Sequence, residues 1–206
     1  MPPAFLYFDL GNVLFFFDRD RAIAQMAAVS GVDAATVRGI VMDDGLQRAI
    51  ERGELDWTGF HAAFCRKSGS TPDPTALAHA ASDMFRLNVG MLPVLAACQR
   101  LGVPTGVLSN TCDPHWRFLA SGAYAILPGR FRTIVLSHEV GAVKPEPEIY
   151  ALAARRAGVE PQRIFFCDDL PGHVEAARAA GWDAAIFESS HGLVEQLARR
   201  GLSLGL

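Results

Sequence analysis

The 206-residue chain is 50% hydrophobic and 20% charged, with a formal net charge of −3. That composition can fill a core and excludes a disordered segment, and its slight acidity excludes a basic field able to hold nucleic acid or an anionic membrane by bulk electrostatics. Cys65, Cys98, Cys112 and Cys167 lack CxxC spacing, the apolar N-terminus has no basic flank, and no apolar stretch reaches the roughly 20 residues of a membrane span. Reduced thiols in a cytoplasmic protein are therefore expected.

Residues 4 to 8 are apolar at every position, the pattern of a central parallel strand covered by helices on each side. Between Asp18 and Asn88 alanine-rich helical patterns take over: Arg21 to Val29, Ala34 to Met42, Gly45 to Glu51, Thr58 to Lys67 and Thr75 to Phe85. This stretch predicts four or five helices and no strand. From residue 91 helices and strands alternate. Helices are expected at Met91 to Leu101, His115 to Ala120, Pro147 to Ala157, Pro171 to Ala180 and Leu193 to Arg199, and strands at Thr105 to Leu108, Thr133 to Leu136, Ile164 to Cys167 and Ala184 to Phe187. Such alternation predicts an α/β fold with a parallel sheet, into which the helical stretch is inserted after the first strand.

Acidic residues stand where two of these strands end. Asp9 follows Phe5-Leu6-Tyr7-Phe8, and Asp168-Asp169 follow Ile164-Phe165-Phe166-Cys167. Ligands bind at the carboxyl edge of a parallel sheet, and carboxylates gathered there are costly unless a cation joins them. Together they predict a magnesium-dependent phosphoryl-transfer site. A strand-end aspartate can attack phosphorus itself and form an aspartyl-phosphate. Taken singly, Asp9 would more often cap a turn, and one of the acids at 168 and 169 would cap the next helix.

Two further segments add to the pattern. Gly106-Val107-Leu108-Ser109-Asn110-Thr111 ends in small polar side chains and turn N–H groups suited to phosphate oxygens. In Lys144-Pro145-Glu146-Pro147-Glu148-Ile149-Tyr150 the prolines restrain a lysine whose charge would offset nucleophile and phosphate. Each also has an ordinary reading, as a strand-to-turn transition and as a solvated lysine before a proline helix start.

In this order FLYFDLGNVL, VLSNT, VKPEPEIY and FFCDDLPGHVEAA resemble the four motifs of the haloacid dehalogenase-like hydrolase superfamily. The resemblance covers nearly the whole chain. It implies a Rossmann-like core at residues 1–17 and 89–206 with helices on both faces, and a helical cap at 18–88. It further implies a phosphatase acting on a small phosphorylated metabolite, with Asp9 as nucleophile and Ser109, Asn110 and Lys144 at the phosphate. Magnesium would be held by Asp9, the carbonyl of Gly11 and the acids Asp168 and Asp169, with Asp169 as direct ligand and Asp168 sharing coordination or acting through water.

One departure matters: most phosphatases of the superfamily carry a second aspartate two residues after the nucleophile, and here that residue is Gly11. The DLGNV form resembles a subgroup similar to glucose-1-phosphate phosphatases and, distantly, the N-terminal phosphatase domain of soluble epoxide hydrolases. General acid catalysis is worth about 10²–10⁴-fold, so its loss would favour sugar 1-phosphates or aryl phosphates, whose leaving groups need little protonation. Asp18 is expected to cap the first inserted helix, and His115 and His173 to be structural more often than catalytic. Glu51, Arg52, Trp57 and His61 surround a turn at Gly53 where an arginine or aromatic ring would read a sugar hydroxyl, although most such residues are plain helix surface or core. Gly11 also leaves open a 2-haloacid dehalogenase, since halide needs no proton, and a weakly catalytic phosphometabolite-binding relative. The acid pair at 168 and 169 argues against the dehalogenase.

Overall fold

A computed structural model describes residues 2–124, 126–127 and 129–206. Strand β1 (Phe5–Phe8) leads through a turn to the short strand β2 (Phe15–Phe17). Helices α1 (Arg19–Ser30), α2 (Ala34–Arg38), α3 (Leu46–Glu51), α4 (Trp57–Ser68) and α5 (Pro74–Ser82) follow, then strand β3 (Phe85–Leu87). The rest alternates: α6 (Met91–Arg100), β4 (Thr105–Ser109), α7 (Asp113–Leu119), β5 (Thr133–Leu136), the one-turn α8 (Ser137–Val140) and α9 (Pro147–Ala157). It closes with β6 (Ile164–Asp168), α10 (Pro171–Ala179), β7 (Asp183–Ile186) and α11 (Ser190–Arg199).

Five strands form one parallel sheet in the order β5-β4-β1-β6-β7. Side chains alternate across a strand, and the two faces divide accordingly. Leu6, Phe8, Phe165 and Cys167 join the core formed with α6 and α11, whereas Phe5, Tyr7, Ile164 and Phe166 join that formed with α9 and α10. Phe5 to Phe8 are fully buried, as the unbroken apolar run requires. A third cluster lies among α1–α5, where Ile23, Met26, Val37, Ile50, Phe60, Phe64 and Leu77 pack together with Cys112 from the segment after β4.

Two expectations fail locally. The segment from 18 to 88 contains a strand: β3 pairs antiparallel with β2, Phe15 opposite Leu87 and Phe17 opposite Phe85. Helix α5 ends at Ser82, so Phe85 is a strand residue and not the end of a helix. The helix expected from Ala34 to Met42 is also divided, with α2 passing into a wider π turn over Gly39–Asp43. All four cysteines are unpaired, and among the described residues no helix is long and apolar enough to cross a membrane.

Candidate active site

Because β1 and β6 are parallel neighbours with Phe8 opposite Cys167, the residues that follow them emerge side by side. Oxygen atoms of Asp9, Asp168 and Asp169 all lie within 4.8 Å of one another. Lys144 reaches into the same place, its Nζ 2.9 Å from Asp9 Oδ1 and 2.5 Å from Asp168 Oδ2. Its side chain is 1% exposed, and that of Asp168 is fully buried. Two carboxylates therefore face one ammonium group, with Asp169 beside them.

Burial pushes the Asp9 carboxyl up to about 6, opposed by Lys144 and reinforced by the like charge of Asp168. Asp168 goes the other way: burial would raise it, yet Lys144 and the hydrogen bond from His173 outweigh burial and hold it near about 2. Lys144 is raised, since its two carboxylates more than offset its desolvation. Asp168 also accepts the Leu170 N–H at 2.9 Å and lies 3.0 Å from His173 Nδ1. Its lone pairs are largely used, whereas Asp169 accepts only from Asn12 Nδ2, at 2.8 Å, among the described residues.

Asn12 is a residue that sequence reasoning missed. It holds the left-handed conformation of the turn after Asp9 (φ 55), a conformation asparagine tolerates better than most side chains. Gly11 has no positive φ, and its lack of a side chain serves another end. A Cβ on Gly11 would lie 2.8 Å from Cε1 of Phe17. The ring of Phe17 thus fills the space beside Gly11, with the Arg19 guanidinium 5.0 Å from its centroid and Phe85 edge-on at 6.3 Å.

Ser109 ends β4, is 2% exposed, and among the described residues its hydroxyl makes only a long 3.4 Å contact to the Asn110 carbonyl, so it keeps its capacity to donate. The Asn110 side chain is committed elsewhere. Its Nδ2 donates to the Lys144 carbonyl at 2.9 Å and its Oδ1 accepts the Lys144 N–H at 2.8 Å, a two-point grip on the lysine backbone. Any role of Asn110 toward phosphate therefore falls to its backbone. Ser137, also missed, is fully buried. Its hydroxyl accepts the Thr111 N–H at 2.9 Å and donates to the Glu51 carbonyl at 2.5 Å, tying the end of α3 to the sheet edge. An Arg52–Glu146 ion pair makes a second tie. Gly53 makes a third: at φ +76 it packs so closely that a Cβ would stand 2.4 Å from the His138 carbonyl oxygen.

Between the helices and the sheet edge lies a cleft, partly open to solvent. Gly11, Phe17, Ser109, Asn110 and Thr111 line its sheet end, Ile23, Met26, Val41 and Phe60 its apolar wall, and Arg19, Gln47 and Glu51 its polar flank. Trp57 lines it too, whereas His61 bonds to the Pro72 carbonyl. Asp18 caps α1 by accepting the Arg21 N–H, as expected.

His115 borders the cleft but is poorly suited to proton transfer near neutrality, since burial lowers it to about 4. A histidine buried neutral binds protons more readily when unfolded, so its contribution to stability is whole above the unfolded value of 6.5 and is lost as pH falls toward 4. From pH 7 to pH 5 this amounts to about 2 kcal/mol. In urea unfolding at the two pH values, His115→Phe is expected to lose about 2 kcal/mol less than wild type; equal losses would show that His115 is not held neutral.

Among relatives, a glyceraldehyde 3-phosphate phosphatase of Methanopyrus kandleri is 24% identical over 188 residues, which cover 84% of this chain and 79% of that enzyme. Bifunctional epoxide hydrolase 2 of Rattus norvegicus is 24% identical over 169 residues, 76% of this chain; the match spans 30% of that longer protein. A HAD family enzyme of Bacteroides thetaiotaomicron, crystallised with magnesium and inorganic phosphate, superposes with a TM-score of 0.79 at 25% identity, covering 90% of this chain and 94% of that one. The haloacid dehalogenase-like hydrolase family itself matches residues 7–181. With that match over most of its length, and with its strand-edge acids and lysine brought together, the chain belongs to the haloacid dehalogenase-like hydrolases.

Proposed function

We propose that the protein is a magnesium-dependent phosphomonoester hydrolase that acts on a small phosphorylated metabolite through an aspartyl-phosphate on Asp9. The observation that carries this reading is the meeting of Asp9, Asp168 and Asp169, with Lys144 paired to the first two. Three carboxylates against one ammonium leave uncompensated negative charge, and all-oxygen donors suit a hard divalent cation. Asp9, Asp169 and the Gly11 carbonyl would hold it; Asp168, already bonded to Lys144, His173 and Leu170, would act through water or share coordination. When bound, the ion neutralises charge on the transferring phosphoryl group.

The other groups have definable tasks. Lys144 holds Asp9 by an ion pair at the same oxygen that accepts the Leu10 N–H at 2.7 Å, which leaves Oδ2 free to attack phosphorus. Ser109 and the backbone N–H groups after it would receive the phosphate oxygens. The helices at 18–88 would serve as the cap and enclose the rest of the substrate in the cleft. Sugar 1-phosphates are one candidate class, since a hemiacetal oxygen leaves with little protonation. The acid pair also favours this reading over a dehalogenase, which needs no cation.

Phosphate release from a panel of phosphorylated metabolites, measured after chelation and again with magnesium restored, tests the proposal. Activity is expected to fall by at least about 10²-fold without the ion and to return with it. Turnover that is indifferent to chelation would rule the reading out.

A further inference from the structure

Phe17 occupies the ground on which an acid at position 11 would stand, so the leaving oxygen must find its proton elsewhere or leave without one. Glu51, at the end of α3, lines the same cleft as Gly11 and Phe17. Its carboxyl is fixed by Gln47, whose Nε2 donates to Oε1 at 2.7 Å, and among the described residues no hydrogen bond reaches Oε2. Its backbone is anchored to the sheet edge through Ser137, and the Arg52–Glu146 ion pair and the tight Gly53–His138 approach hold the following turn.

On the reading of Asp9 as nucleophile, we propose that Glu51 is the proton donor and acceptor for the leaving group, supplied by the inserted helices in place of the aspartate missing at Gly11. Asp9 attacks phosphorus, the bond to the leaving oxygen breaks, and that oxygen takes its electron pair and the proton of the Glu51 carboxyl. In the second half Glu51, now a carboxylate, takes a proton from the water that attacks the aspartyl-phosphate; phosphate leaves, and Asp9 and protonated Glu51 are restored. The environment suits a carboxyl that carries a proton. Burial raises Glu51 above the ordinary carboxylate range and the charge of Asp9 adds to this, while the Gln47 hydrogen bond, Arg19 and Lys144 act against it.

Leaving-group dependence separates a proton donor from a merely structural residue. Formation of the aspartyl-phosphate is followed by single-turnover release of the alcohol, with an alkyl phosphate and with 4-nitrophenyl phosphate, whose phenolate needs no proton. Glu51→Gln, which keeps the shape and the Gln47 contact, is expected to slow the alkyl substrate by at least about 10²-fold and the nitrophenyl substrate far less. Glu51→Asp retains an acid and is expected to keep most of the wild-type ratio between the two. Equal slowing of both substrates by Glu51→Gln, or slowing of neither, overturns the proposal. Asp9→Asn in the same series keeps the two questions apart, because activity surviving that change defeats the covalent reading whatever Glu51 does.

Discussion

Asp9→Asn is expected to reduce phosphate release by roughly 10⁴-fold or more, the scale seen when a covalent nucleophile is removed, while leaving the melting temperature unchanged or higher. Activity and stability part company because Asp9 is a poorly placed charge: burial and the neighbouring Asp168 already push its carboxyl up to about 6. A neutral amide of the same shape removes the repulsion between the two acids, and Lys144 keeps its contact with Asp168. Phosphate release together with thermal unfolding checks both halves. Residual turnover above a hundredth of wild type would exclude attack by Asp9, and a large fall in melting temperature would mean that its pairing with Lys144 outweighs the burden of its charge.

Lys144→Met is expected to do the opposite to stability. The side chain is 1% exposed and is the ammonium group against both Asp9 and Asp168, so its loss strands two buried carboxylates. Removing one partner of a buried ion pair costs about 3–5 kcal/mol, more than replacing the whole pair with apolar groups. Activity is expected to fall with it, by about 10²–10³-fold, as when one preorganised electrostatic contact is removed from an active site. Added magnesium offers a check, since a cation held by the same carboxylates replaces part of the missing charge. It is expected to raise the melting temperature of the variant more than that of wild type. A variant as stable as wild type without magnesium would show that the acids tolerate each other unaided.

The parallel sheet was legible because its signals are local. Phe5 to Phe8 and Ile164 to Cys167 are unbroken apolar runs, each ending in acid, and such runs have few other uses. The convergence of Asp9, Asp168 and Asp169 then follows from parallel pairing. The β2–β3 pair was not legible: three residues are too few to display a period of two, and Phe85 continues the spacing of the helix before it. The two-point grip of Asn110 on Lys144 joins residues 34 positions apart and leaves no mark in either segment. Asn12 was nearer to reach, because asparagine after glycine in a tight turn is a known left-handed candidate. Glu51 was noticed only as a neighbour of the Gly53 turn; its place in the cleft with Gly11 depends on contacts made by Ser137, Arg52 and Gly53 across the fold.

The ring that abuts Gly11 has a consequence for how this enzyme can change. Installing aspartate there in one mutational step would drive its first side-chain carbon against Phe17, itself pinned between Arg19 and Phe85. The ring must turn aside or give way to a smaller one before an acid at 11 can fit, so substitutions at the two positions are coupled.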